Sequence, residues 1–153
     1  MQERIGASVV AGLMAGLVFG VIMEAAPAPA PAGQMMGMIG QILIGSPNIP
    51  VGWIFHFGYS ALLGAAFGWL VGERDHDVSS GLAWGAVYGF VLWIIGGLIM
   101  IPVLLGMAPF APLTRPSLRG VAVISLAGHL VFGLIVGGLV GTYSRITPRA
   151  GSA

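Results

Sequence analysis

Charged side chains are so few and so placed in this sequence that they mark out four long uncharged stretches. Lys+Arg number 6 and Asp+Glu 5 among 153 residues, so only 7% of the chain is charged, against about 25% in soluble domains. A helix of about 20 residues crosses the bilayer core of about 30 Å, and free backbone groups are not tolerated in lipid. We therefore predict an all-α integral membrane protein, a four-transmembrane-helix bundle in one domain over 1–153, with spans at Ile5–Met23, Val51–Gly72, Val78–Pro102 and Gly120–Ser144.

The composition excludes several classes of function. Hydrophobic residues are 57% of the chain, the net charge is +1 and no basic run is present, so nucleic acid is not an expected partner. The absence of cysteine excludes disulfides, thiolate metal sites and covalently attached haem. The spans contain no paired carboxylates, and the lone serines have no nearby base on a plausible nucleophile turn. We predict no catalytic activity, and the expected partners are the lipid bilayer and other membrane subunits or further copies of the chain.

The few arginines indicate an orientation. Four spans place both termini and the 73–77 loop on one side of the membrane, and that side holds more arginines than the other. The positive-inside bias makes it cytoplasmic, so we predict a multi-pass protein of the inner or plasma membrane with cytoplasmic N- and C-termini. Alternatively, the first span and the Ala-Pro run at 26–32 resemble a secretory signal with its cleavage site.

An internal duplication is visible in the small residues. Gly12, Gly16 and Gly20 of the first span correspond to glycines of the third span at an offset of 69 residues. The second and fourth spans correspond at an offset of 73 residues. The predicted repeats are therefore 5–72 and 78–144. Glycines at every fourth position form a strip along one face of a helix. A strip of this kind lets two helix backbones approach closely, either within the chain or against a partner subunit. The predicted packing glycines are Gly12, Gly16, Gly20, Gly64, Gly68, Gly81, Gly85, Gly89, Gly133, Gly137 and Gly141.

A short motif in the fourth span carries a family resemblance. The run His129-Leu-Val-Phe-Gly133, followed by Gly141-x-Tyr143, resembles a late helix of small four-span prokaryotic membrane proteins grouped in domain-of-unknown-function families. The resemblance implies the four-span layout and carries no activity with it.

His56 and His129 are the histidines inside the predicted spans, at matching positions of the two repeats. Ionisable residues at membrane depth are functional-site candidates. A pseudo-twofold axis between the repeats would bring the rings face to face as axial ligands of haem b, with Gly58 and Gly128 leaving room for the macrocycle. The alternatives are hydrogen bonds that fix helix register, another metal, and a quinone or proton role.

The segment between the first two spans contains further candidates. Glu24 ends the first span, either as an exposed interfacial carboxylate or as a group that hydrogen-bonds and orients His56. The apolar 33–45 segment is too short to span, which predicts a short helix at the outer interface. Its Met35, Met36 and Met38 could offer thioethers to Cu(I) or serve as adaptable packing.

These features lead to three functional hypotheses. Glycine strips and apolar outer loops favour an accessory or assembly subunit of a larger membrane complex. The histidine pair favours a haem b or metal electron carrier. Glu24, the histidines and the methionines together suggest a transporter or channel for a small solute or metal.

Overall fold

Four helices are long and apolar enough to cross a membrane in the part of the chain that the structure, a computed structural model, describes. That part comprises residues 2–25, 33–71 and 77–146. The candidate cleavage motif at 26–32, most of the 73–77 loop and Arg149 lie outside the described residues. The membrane-spanning helices confirm the predicted all-α membrane class, with boundaries close to those marked by the charges.

The helices follow one another with short connections. The elements are α1 (Gln2–Glu24), α2 (Met35–Ile44), α3 (Ile49–Val71), α4 (Val78–Leu92), a π-helix (Trp93–Met100), α5 (Ile101–Leu104), α6 (Ala111–Thr114), a 3-10 turn (Pro116–Leu118) and α7 (Arg119–Ile146). The third span is α4, the π-helix and α5 in unbroken succession. The helix α2 lies within the 33–45 segment and packs on the beginning of α3, where the backbone of Met36 meets Gly52.

Glycine strips join α1 to α3 and α4 to α7 with backbones in contact. A Cβ atom at Gly64 would lie 2.8 Å from Cα of Gly12, and one at Gly137 would lie 2.9 Å from Cα of Gly85. Each of the eleven predicted packing glycines has atoms of a neighbouring helix this close. The strips that were also candidates for a subunit interface are therefore used inside the chain, where only the lack of a side chain allows such close approach.

A proline changes the hydrogen bonding of the third span. Pro102 has no N–H to donate to the carbonyl of Leu98 four residues earlier, and its ring disfavours regular α-helix there. The N–H of Ile101 instead bonds to Gly96 O in the five-residue spacing of a π-helix. The freed Leu98 carbonyl accepts the N–H of Phe110 at 2.7 Å, so the segment after α5 folds back onto the π-helix.

The half of the bundle away from α2 is closed by aromatic and aliphatic side chains. Phe67, Phe132 and Val136 are fully buried in one cluster. Tyr88 lies against Phe67, with ring centroids 5.2 Å apart, and its hydroxyl donates to Leu63 O at 2.8 Å. This hydrogen bond connects α4 to α3. These two helices lie further apart than the helix pairs that pack through glycines, α1 with α3 and α4 with α7.

Candidate functional site

The opposite half of the bundle contains a cavity of about 260 Å³. Its wall is almost wholly apolar and comes from all four spans and from α2. The third span contributes Gly96, Gly97 and Met100, and α3 contributes Phe55, His56 and Tyr59. Ser125 and His129 of α7 complete the polar part of the wall. Both intramembrane histidines therefore border one space, as their matching depths suggested.

His129 presents an unprotonated nitrogen to this cavity. Its Nδ1 lies 2.7 Å from Ser125 O, and a carbonyl can only accept, so Nδ1 carries the proton and donates it. In the neutral ring Nε2 is then an acceptor. Within the described part of the chain Nε2 has no hydrogen-bond partner, and the nearby backbone is Gly96, where a Cβ would lie 3.7 Å from Nε2.

His56 uses its polar edge to join two helices. Its Nε2 lies 2.8 Å from Gly16 O, and the same reasoning makes Nε2–H the donor. The nitrogen is buried beside the glycine strip of α1, since a Cβ at Gly20 would lie 3.2 Å from it. His56 therefore fixes the register of α3 on α1, which was one of the predicted roles.

The ring of Phe19 contacts both imidazoles. Its centroid is 5.6 Å from that of His56 and 4.6 Å from that of His129. A Cβ at Gly128 would lie 2.5 Å from the phenyl ring of Phe19, while a Cβ at Gly58 would meet no atom within 4 Å. Haem ligation by facing histidines stays a prediction, and His56 Nε2 is committed here to Gly16 O.

Methionines form much of the remaining wall. Residues of this type lining the cavity are Met23, Met35, Met36, Met38, Met100 and Met107. Met23, Met35 and Met38 pack together in one buried cluster. The predicted methionine candidates thus lie beside the histidines, together with three that come from other elements. Thioether side chains are flexible and polarisable, so such a wall adapts to the shape of what it contacts.

Glu24 acts on α2 and not on His56. Its Oε1 accepts the N–H of Met36 at 2.8 Å, which is one of the amides left without a partner in the first turn of that helix. The preceding Gln34 makes no side-chain cap, so the carboxylate takes its place and also complements the positive end of the helix dipole. The role predicted for Glu24, orienting His56, is replaced by holding α2 on the cavity.

Sequence reasoning missed three parts of this site. These are Phe19, Ser125 and the Gly96-Gly97 pair, all of which line the cavity. Pro102 was the available signal for the last of these, because a proline late in a span indicates irregular hydrogen bonding one turn earlier. Trp93 in the same π-helix is 9% exposed, and its Nε1 is the one buried side-chain polar atom without a partner among the described residues.

The site offers a hydrogen-bonding patch in an apolar, adaptable wall and lacks a cluster of charged ligands. Among residues 2–25, 33–71 and 77–146, no three His, Cys, Asp or Glu side chains are grouped to hold a metal ion. No family model, curated protein or solved structure was found to match the chain.

Proposed function

We propose that this membrane protein binds a lipid-soluble organic molecule in the cavity between α3 and the π-helix. The observation that carries the proposal is the wall of this cavity, which is apolar apart from a few convergent polar groups. Ligand sites are built in this way, with volumes from about 300 Å³ upward. A cavity of about 260 Å³ suits a ring or a short chain.

The bilayer supplies the route to the cavity. Phe55 of α3 and Leu104 of α5 line it and are 45% and 55% exposed. In a membrane-spanning bundle such outward apolar side chains face lipid. A lipid-soluble molecule therefore reaches the cavity between these two helices without crossing water. The predicted orientation puts this half of the bundle on the outer side of the membrane.

The other sequence hypotheses draw less support from the geometry. The glycine strips that favoured an accessory subunit are occupied by contacts within the chain. The haem hypothesis needs His56 as a ligand, and its Nε2 is hydrogen-bonded to Gly16 O, while Phe19 contacts both imidazoles. Binding of a small lipophile requires neither a free glycine strip nor a second metal ligand.

The contacts also support the proposal that the two hairpins are copies of one unit. Gly12 meets Gly64 in the first hairpin, and Gly81 meets Gly137 in the second. These are the same positions after offsets of 69 and 73. If one glycine-packed hairpin was duplicated, the helices of both hairpins are expected to meet at corresponding residues, as they do here.

The binding proposal is tested with 4-(trifluoromethyl)anisole, a small apolar probe followed by fluorine NMR on the protein in phosphatidylcholine nanodiscs. We expect a saturable bound signal above partition into lipid. Gly96→Leu should abolish it, because a Cβ is accommodated there and the rest of the leucine fills the cavity. Gly58→Leu is the matched control, since Gly58 has open space around it and does not line the cavity.

Each outcome bears directly on the proposal. Loss of saturable binding in Gly96→Leu and its retention in Gly58→Leu would support the cavity as the site. Purely linear partition with the unsubstituted protein, or equal loss in both variants, would overturn the proposal.

A second candidate follows from the methionine-rich wall. Six methionines and two histidines line one cavity, and thioether and imidazole are ligands that Cu(I) accepts. We propose Cu(I) as the alternative cargo of the site. Titration with Cu(I) against a chelating competitor tests it, with Met35→Leu and Met38→Leu expected to weaken retention and Met14→Leu, outside the cavity, as the control. Equal retention in all of these variants would refute it.

A further inference from the structure

The polar patch of the cavity is formed by one turn of α7 facing two glycines of the π-helix. Ser125 and His129 are four residues apart, so both side chains lie on one face of α7. A Cβ at Gly97 would lie 3.0 Å from Ser125 Oγ, and a Cβ at Gly96 would lie 3.7 Å from His129 Nε2. The two glycines therefore leave the two polar atoms uncovered on the cavity side.

These two atoms differ in what they offer. His129 Nε2 is an acceptor, because Nδ1 carries the ring proton and donates to Ser125 O. Ser125 Oγ lies 3.4 Å from Nδ1, a long contact to a group already committed to a shorter bond. Because Nδ1 carries the proton, it cannot accept the hydroxyl hydrogen of Ser125, which has no acceptor among the described residues. The patch thus presents one acceptor and one donor side by side.

A hydroxyl group matches this pair. Its hydrogen can be donated to His129 Nε2 while its oxygen accepts the hydrogen of Ser125 Oγ. A carbonyl or an ether oxygen can satisfy only the serine, which leaves the imidazole nitrogen without a partner in an apolar site. Such an unpaired polar group carries a desolvation cost, so sites of this kind discriminate strongly between analogues with and without the hydroxyl.

Building on the proposed lipid-soluble ligand, we propose that this ligand is a hydroxylated lipophile, an alcohol or a phenol, whose hydroxyl lies over Gly96 and Gly97. The hydroxyl donates to His129 Nε2 and accepts from Ser125 Oγ–H. The apolar remainder lies against the methionines and Phe19. The glycines at 96 and 97 are required because any side chain there would cover the patch.

The test compares 4-(trifluoromethyl)phenol with its methyl ether, 4-(trifluoromethyl)anisole, in the nanodisc assay. The two probes share the ring and the fluorine label and differ in the hydroxyl hydrogen. We expect the phenol to bind about tenfold more tightly in the saturable site, the ratio given by one hydrogen bond at the upper end of its usual net worth. His129→Leu should reduce this ratio toward one, because only the phenol donates to Nε2. Ser125→Ala should weaken both probes and leave the ratio near tenfold, because the ether oxygen also accepts from the serine.

Two controls separate the hydroxyl contact from general damage to the bundle. Ser60→Ala removes a buried serine that lies on the α1–α3 contact and not on the cavity, so the ratio should be unchanged. Nitrogen-15 NMR of labelled histidine reports directly on the unsubstituted protein. The phenol should shift the unprotonated Nε2 resonance of His129, while the ether should leave it in place.

The outcomes distinguish the two proposals. Saturable binding of both probes with equal affinity, or a His129 resonance indifferent to the phenol, would refute the hydroxyl contact and leave the cavity proposal standing. Absence of saturable binding for both probes would refute both. A preference for the phenol that persists in His129→Leu would place the hydroxyl elsewhere and overturn the assignment.

Discussion

The contact between Gly12 and Gly64 gives the most direct test of how this bundle is held together. A Cβ at Gly64 would meet Ser8 O and would lie 2.8 Å from Gly12 Cα and 3.0 Å from Gly12 N. These are backbone atoms, so no side-chain rotation can relieve the overlap. Gly64→Ala therefore requires α1 and α3 to move apart.

The size of the effect follows from these distances. Carbon atoms pack at about 3.5–4.0 Å, so the helices must separate by about 1 Å at this point. The same displacement loosens the neighbouring contacts at Gly16 and Gly68, which face Ser60 and Ser8. Overpacking by one methyl group costs about 1–3 kcal/mol, and we expect a value of about 2–3 kcal/mol because several contacts are affected together.

The measurement is the free energy of unfolding in mixed micelles titrated with dodecyl sulfate. Gly58→Ala on the same helix is the control, since nothing lies within 4 Å of its Cβ position. It should leave stability unchanged or raise it by up to about 1 kcal/mol, because alanine is the better helix former. In the second hairpin Gly137→Ala should behave like Gly64→Ala, and Gly120→Ala like Gly58→Ala. A Gly64→Ala protein as stable as the Gly58→Ala protein would refute the reasoning that these backbones are in contact.

Four further substitutions, at three residues, test other hydrogen-bonding groups. Tyr88→Phe should cost about 1 kcal/mol of unfolding free energy by removing the bond to Leu63 O, and no loss would show that the bond does not form. Glu24→Ala should speed hydrogen exchange of the Met36 amide about tenfold or more, while Glu24→Gln, which keeps an acceptor, should do so less; equal effects would contradict a capping role. Trp93→Phe removes a buried donor without a partner, which offsets the packing lost with the smaller ring, so stability should fall by less than about 1 kcal/mol; a loss of about 3 kcal/mol or more would contradict an unpartnered Nε1.

The spans could be predicted from the sequence because their ends carry the charges. The helices Ile49–Val71 and Arg119–Ile146 begin and end within about a turn of the predicted limits. Membrane helices are specified by length and polarity alone, without knowledge of their neighbours. The glycine spacing likewise indicated close packing, although it did not say which helices would meet.

The arrangement of the histidines could not be predicted because it depends on helix rotation. One residue corresponds to about 100° around a helix. The depth of a residue in the membrane therefore does not determine which face of the helix its side chain occupies. Both rings line the cavity, yet His56 Nε2 bonds the backbone of Gly16, whereas His129 Nε2 has no hydrogen-bond partner among the described residues. The partner of Glu24 depended equally on where the short helix α2 packs, which no local pattern in the sequence specifies.

On the proposed duplication of one hairpin, the cavity follows from one difference between the two copies. Phe19 and Tyr88 occupy matching positions before Gly20 and Gly89, yet their rings fill different gaps. Phe19 inserts against Gly128 and brings α1 close to α7, while Tyr88 reaches Leu63 on α3 in the other half of the bundle. A strict twofold arrangement would close α3 on α4 as tightly as α1 on α7. Because Tyr88 closes only its own half, α3 and the π-helix stay apart above it, and the space between them is the site that His129 and Ser125 border.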